Sequence, residues 1–172
     1  MRRILLIGPG GAGKSTLARR LAERLDLPLI HLDALYWRPG WVETPKDAWR
    51  ATLSGLLQGE AWVMDGNYGG TLDLRLAACD TAILLDLPPW QCLWRVLRRR
   101  WRHHGRARPD MPPGCPERLD AAFLLWIATW RLRRGGDVRR RLARAAQAGV
   151  DTRVLRSQAA VEAFLAALPA RR

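Results

Sequence analysis

The stretch Gly8-Pro9-Gly10-Gly11-Ala12-Gly13-Lys14-Ser15-Thr16 sets one lysine and two hydroxyls behind a run of glycines. Gly8, Gly13, Lys14 and Ser15 satisfy the spacing G-x-x-x-x-G-K-[ST], and the stretch lies between an apolar run and a helical repeat, the context that makes the pattern credible. Glycines let backbone amides turn inward around phosphate oxygens, and the start of a helix adds its dipole. At these positions a lysine meets the β- and γ-phosphates and a serine hydroxyl is offered to Mg²⁺. The expected ligand is therefore ATP or another nucleoside triphosphate with Mg²⁺. It would be held by Gly8, Gly10, Gly11, Ala12, Gly13, Lys14, Ser15 and Thr16.

Three acids have the next claim on chemistry, because Asp33, Asp65 and Asp86 each close a short apolar run: "LIHLD", "AWVMD" and "TAILLD". Such runs read as strands buried on both faces. With "RILLIG" at 3–8 and "TRVLRS" at 152–157 they make five strands. Helical patterns fall between them, at 14–25, 45–57, from about Trp90, at 119–134, 137–148 and 158–168. Parallel strands need crossover connections, so the order implies a three-layer α/β fold with a five-stranded parallel sheet. Ligands of such sheets bind at the carboxyl ends of the strands, where the glycine loop and all three acids fall. The segment 103–118 has four prolines and no apolar period, so residues 101–120 are expected to form a lid.

With 172 residues, 48% of them apolar, the chain suits one domain spanning 1–172. No apolar stretch is long enough to span a bilayer, and the N-terminus lacks a signal peptide's apolar segment, so a cytoplasmic location and no membrane partner are expected. Cys79, Cys92 and Cys115 lack paired spacing, which fits buried thiols and no disulfide framework. The net charge of +13 is concentrated: between residues 95 and 144, fifteen arginines stand against four acids, which leaves +11 there. Such a patch admits weak, non-specific nucleic-acid binding, and Trp90, Trp94 and Trp101 among the arginines admit base stacking. The tryptophan spacing of four and seven reads instead as one helix face packed on the core. His103, His104, Asp110 and Cys115 lack the spacing of a structural zinc site.

Beyond its glycine loop the sequence resembles the adenylate-kinase-related group of P-loop proteins. "DGNYG" at 65–69 is similar to the group's Asp-Gly-x-Pro-Arg, and Asp86, Pro88, Arg95, Arg99 and Arg100 reproduce its Asp-x-Pro and arginine register. Within that group "HLDALYWRPGW", "DGNY" and "RARPDMPPGCPERLD" resemble the bacterial DNA topology modulation protein FlaR family. The resemblance implies Mg-dependent phosphoryl transfer from a nucleoside triphosphate to a small hydroxyl or phosphate acceptor. It places Asp65 on magnesium through water, beside Ser15, and leaves Asp86 to support its strand end. It places Arg95 on the nucleotide and gives Lys14, Arg95 and Arg99 roles in transfer, with Arg108 and Arg118 as weaker candidates. Asp33 would orient or deprotonate an acceptor hydroxyl; the alternative is a helix N-cap. Gly69 stands where adenylate kinases place an arginine on the acceptor phosphate, so ordinary AMP recognition is not expected, and Arg38 or Arg75 would have to substitute. The family name leaves a second reading, a nucleotide-regulated nucleic-acid-binding protein, and a third is a nucleotide binder without transfer activity.

Overall fold

The computed structural model describes residues 1–102, 112–115 and 120–169, the side chain of Arg102 excepted. Five strands, β1 (Arg3–Ile7), β2 (Leu29–His31), β5 (Trp62–Asp65), β6 (Thr81–Leu85) and β7 (Asp151–Leu155), form a parallel sheet in the order β2-β5-β1-β6-β7. β1 is central, and the chain leaves it toward both edges, which opens a crevice above its carboxyl end. The pleat divides its residues: Ile4 and Leu6 join Leu17, Leu21, Ile83, Val96 and Val161 on one face. Leu5 and Ile7 join Leu53, Met64, Leu84 and Leu142 on the other.

Helix α1 (Lys14–Leu25) forms because Leu17, Ala18, Leu21 and Ala22 recur on the face that the sheet buries. It stops where Asp26 turns left-handed, at φ 54°, and gives its N–H to Ala22 O. The remaining helices are α2 (Leu32–Tyr36), α3 (Lys46–Leu57), α4 (Leu72–Ala78), α5 (Pro89–Arg102), α6 (Ala121–Trp130), α7 (Gly136–Gln147) and α8 (Gln158–Ala166). Among the described residues no helix is long and apolar enough to cross a membrane. Cys79, Cys92 and Cys115 are free and buried.

Several expectations need correction. Burial on both faces holds for β1, β5 and β6, but β2 is only half-buried and β7 buries Leu155 alone, because each has a single neighbour. The second strand stops at His31, so Asp33 lies inside α2. A small antiparallel hairpin, β3 (Trp37–Arg38) with β4 (Val42–Glu43), follows α2 and was not legible as strands. α6 and α7 do not break at Gly135-Gly136; a π-helical turn over Arg131–Gly135 joins them. The tryptophan stripe of α5 faces outward: Trp90, Trp94 and Trp101 are 67%, 63% and 87% exposed. Cys92 and Val96 form that helix's buried face instead. Of the expected lid, residues 103–111 and 116–119, which include Arg108, Arg118, His103, His104 and Asp110, lie outside the described residues.

Candidate active site

The glycine loop runs from the end of β1 to the first turn of α1, as its motif requires. Gly11 has φ 77°, and a Cβ there would stand 2.2 Å from the carbonyl oxygen of Cys92, so no other residue fits against α5. Gly13 begins α1 with no side-chain cap, so the amides of the first turn, at Lys14, Ser15 and Thr16, remain available to an anion. Lys14 Nζ donates to the carbonyls of Gly8 (2.8 Å) and Pro9 (3.0 Å), both in its own loop. Burial lowers its pKa, opposed by the charges of Asp65 and Asp33 and reinforced by Arg99. An ammonium held by neutral oxygens fits an anionic ligand with charge of its own to contribute.

The two acids that compete for magnesium are occupied differently. Asp65, 4% exposed, has Oδ1 2.7 Å from His31 Nδ1, a pairing set by the parallel register of β2 and β5. Asp86 is clasped on one oxygen by Arg131 Nε (2.8 Å), from the first residue of the π-helical turn, and on the other by Arg139 Nη1 (3.2 Å), from α7. With both oxygens engaged by guanidinium groups, Asp86 is a joint between β6 and the α6–α7 helix. No group of three or more His, Cys, Asp or Glu side chains that could hold a metal is found among the described residues. Mg²⁺ needs no such group, since it keeps several waters and takes one or two protein ligands plus phosphates. Ser15, half-buried and lining the cavity, and the buried carboxylate of Asp65 are side chains of the kind such an ion takes.

A cavity of about 1120 Å³ opens over the loop. Near the β7 edge it is walled by Arg19, Arg20, Gln158 and Val161; near the β2 edge by Asp33, Trp37, Trp41, Glu43 and Tyr68. Asp33 lines it with one carboxylate oxygen accepting from the Tyr68 hydroxyl at 2.7 Å, and no second donor among the described residues is bonded to it. Tyr68 packs on Tyr36 and Trp49, and burial together with Asp33 pushes its pKa far above the usual phenol value. Arg95 lies across the loop, Nη1 3.4 Å from Ala12 O and Nη2 2.9 Å from Gln158 Oε1. Arg98 and Arg99 line the same wall.

The structure thus brings Gly10, Gly11, Ala12, Gly13, Lys14, Ser15, Thr16, Asp33, Arg95 and Arg99 to one cavity. Gly8 braces the loop from behind, its N–H given to Asn67 Oδ1 at 3.2 Å. Asp65 is buried and is not among the residues that line the cavity. A Cβ added at Gly69 would meet no atom of the described residues within 4 Å. Arg75 does not replace the missing arginine: wholly buried, it donates to the carbonyls of Gly66 (2.9 Å), Tyr68 (2.6 Å) and Thr71 (3.4 Å) and locks the loop after β5. Arg38 is exposed on the hairpin, off the cavity wall. Sequence reasoning missed Asn67, Tyr68 and the hairpin's Trp37, Trp41 and Glu43. The Pro39-Gly40 pair between two tryptophans was the available signal for the hairpin.

A family model described as the ATPase family associated with various cellular activities (AAA) matches residues 4–60. Shikimate kinase of Rhodococcus jostii (strain RHA1) is 61% identical over 31 residues, 18% of this chain and 18% of that protein. Adenylate kinase of Mycobacterium leprae is 53% identical over 36 residues, 21% of this chain and 20% of that protein. Cytidylate kinase of Nitratidesulfovibrio vulgaris is 32% identical over 74 residues, 42% of this chain and 32% of that protein. These matches span about a fifth to a third of the relatives' lengths. The fold match is far longer. A structure of shikimate kinase from Acinetobacter baumannii in complex with shikimate superposes with TM-score 0.56 at 19% identity, covering 96% of this chain and 89% of that one. The chain has the P-loop kinase-like fold.

Proposed function

We propose that this protein is a Mg-dependent P-loop kinase, acting as one domain in the cytoplasm, that transfers the γ-phosphoryl group of ATP or another nucleoside triphosphate to a small hydroxyl acceptor. One observation carries the reading. A complete phosphate loop and a carboxylate oriented by Tyr68 face one cavity, at a distance along the sheet set by three strands.

The amides of the first turn of α1 and the Lys14 ammonium take the phosphate oxygens, and Lys14 exchanges two neutral carbonyls for an anion. Ser15 and, through water, Asp65 would hold Mg²⁺, which when bound neutralises charge on the transferred group. His31 fixes the orientation of Asp65. On the acceptor side, Tyr68 holds Asp33 so that its second oxygen can receive the proton of the attacking hydroxyl. Arg95 and Arg99 supply positive charge where phosphate oxygens gain negative charge. The P–O bond to the leaving nucleoside diphosphate breaks as the acceptor oxygen forms its own.

The resemblance to the FlaR family does not displace this reading, because nucleic-acid binding would leave the oriented Asp33 without a task. The test is transfer itself. A coupled assay with ATP and a panel of hydroxyl acceptors should find one turned over at roughly 1–100 per second. Asp33→Asn should abolish that turnover with the nucleotide-induced rise in melting temperature intact. ATP-driven turnover of AMP at the same rate would return the protein to an ordinary adenylate-kinase role.

A further inference from the structure

The acceptor end of the cavity has a composition of its own. Around the transfer point the lining is cationic, with Lys14, Arg95, Arg98 and Arg99. Toward the β2 edge it changes to two carboxylates, Asp33 and Glu43, and three rings, Trp37, Trp41 and Tyr68. No lysine or arginine is among the described lining residues at that end. Arg75 and Arg38 do not line the cavity: Arg75 is locked to three carbonyls of the loop after β5, and Arg38 is exposed on the hairpin.

The hairpin that delivers these groups carries backbone strain. Trp41 sits at φ 65°, left-handed backbone that glycine or asparagine adopts at far lower cost. Gly40, at φ 79°, already relieves the same turn. What the strained position achieves is to bring the Trp41 indole to the cavity wall, edge-on to Trp37 with centroids 5.4 Å apart. Strain retained at a ligand-facing position is where function is sought. The acids are braced as well: Tyr36 donates to Glu43 at 2.9 Å and Tyr68 to Asp33 at 2.7 Å, each leaving a carboxylate turned to the cavity.

Aromatic faces beside carboxylates, with no lysine or arginine among the described lining residues at that end, suit a positively charged group. We infer that the acceptor is a hydroxyl compound bearing a protonated or quaternary amine, the hydroxyl at Asp33 and the ammonium among Trp37, Trp41 and Glu43. This deepens the kinase reading and rests on it. Hydroxy acids and phosphorylated acceptors are disfavoured at the same place, since their charge meets Glu43 and no arginine among the described lining residues at that end offsets it.

Three probes of equal size and different charge test it: glucosamine, glucose and gluconate, titrated against the protein with Mg²⁺ and a non-hydrolysable ATP analogue, with melting temperature as the readout. Glucosamine should give its half-maximal shift at about tenfold lower concentration than glucose, and gluconate should be weaker still. Glu43→Gln should bring glucosamine and glucose to parity. Trp41→Gly should weaken glucosamine while leaving the melting temperature of the unliganded protein equal or higher, because it releases the strained turn. Equal or tighter binding of glucose or gluconate, or no shift with any of the three, overturns the inference. If the analogue alone shifts the melting temperature, such a failure touches only the acceptor class. If it does not, the kinase reading falls first.

Discussion

At the scale of single residues, the site is organised by which polar groups are already satisfied and which wait for a ligand. Asp65 and Asp86 illustrate the difference, since both end apolar strands and both are buried. Asp86 accepts from two arginines, so Asp86→Asn should act on stability: weakening charge-assisted bonds to two half-exposed guanidiniums costs about 2 kcal/mol, read as a lowered denaturation midpoint. Asp65→Asn should instead lower Mg-dependent turnover at least tenfold with a smaller loss of stability, read from activity against Mg²⁺ concentration. An equal effect of the two on turnover would place the metal on the wrong strand. The thiols give a further check. Burial pushes Cys79 up to about 12 and raises Cys92, and Cys115 is buried with Sγ 3.2 Å from Arg38 O. A thiol needs its thiolate to react, so at pH 8 an aromatic disulfide reagent should label the native protein slowly and all three cysteines promptly after unfolding.

At the scale of elements, the loop after β5 depends on Arg75. Its guanidinium has no carboxylate partner among the described residues and serves carbonyls of Gly66, Tyr68 and Thr71 instead, and desolvation lowers its pKa to about 10. Arg75→Met would leave those buried carbonyls unmet, a cost of roughly 3 kcal/mol. For a chain of this size that corresponds to a fall of about 10 °C in melting temperature. The same variant should weaken acceptor binding, because Tyr68 orients Asp33. The origin of Arg75's role also shows where reading a sequence stops. β1, the glycine loop and α1 were legible because their signals are contiguous: an apolar run, a fixed spacing, then leucines every four residues. Asp33 and Lys14 could be placed at one end of the sheet by counting strands. Arg75, His31 and Tyr68 could not be assigned, because their partners are set by packing between elements distant in the chain. The tryptophans of α5 failed for another reason: a period of four and seven identifies a face, but not which face the sheet covers, and here Cys92 and Val96 took that side. The hairpin at 37–43 has strands of two residues, too short for alternation to register.

At the scale of the whole molecule, the +13 charge and the exposed tryptophans of α5 have to be reconciled with a cavity built for phosphate. Part of the excess is used internally: Arg131 and Arg139 hold Asp86, Arg141 bridges Asp73 and Asp137, and Arg20 holds Glu162. The remainder should bind duplex DNA only weakly and without sequence preference, and that binding should fall by orders of magnitude between about 50 and 200 mM salt. Sequence-selective binding that survives physiological salt would favour a nucleic-acid regulator over a kinase. The central claim, that the Gly8–Thr16 loop binds a nucleoside triphosphate, is tested most directly by one measurement: the melting temperature with and without millimolar Mg-ATP or Mg-GTP, for the natural protein and for Lys14→Ala. A ligand held a hundredfold above its dissociation constant adds about 2.7 kcal/mol, so the natural protein should melt several degrees higher with nucleotide and the variant should show no gain. An unchanged melting temperature for the natural protein with every nucleoside triphosphate, or an equal gain in Lys14→Ala, would contradict it.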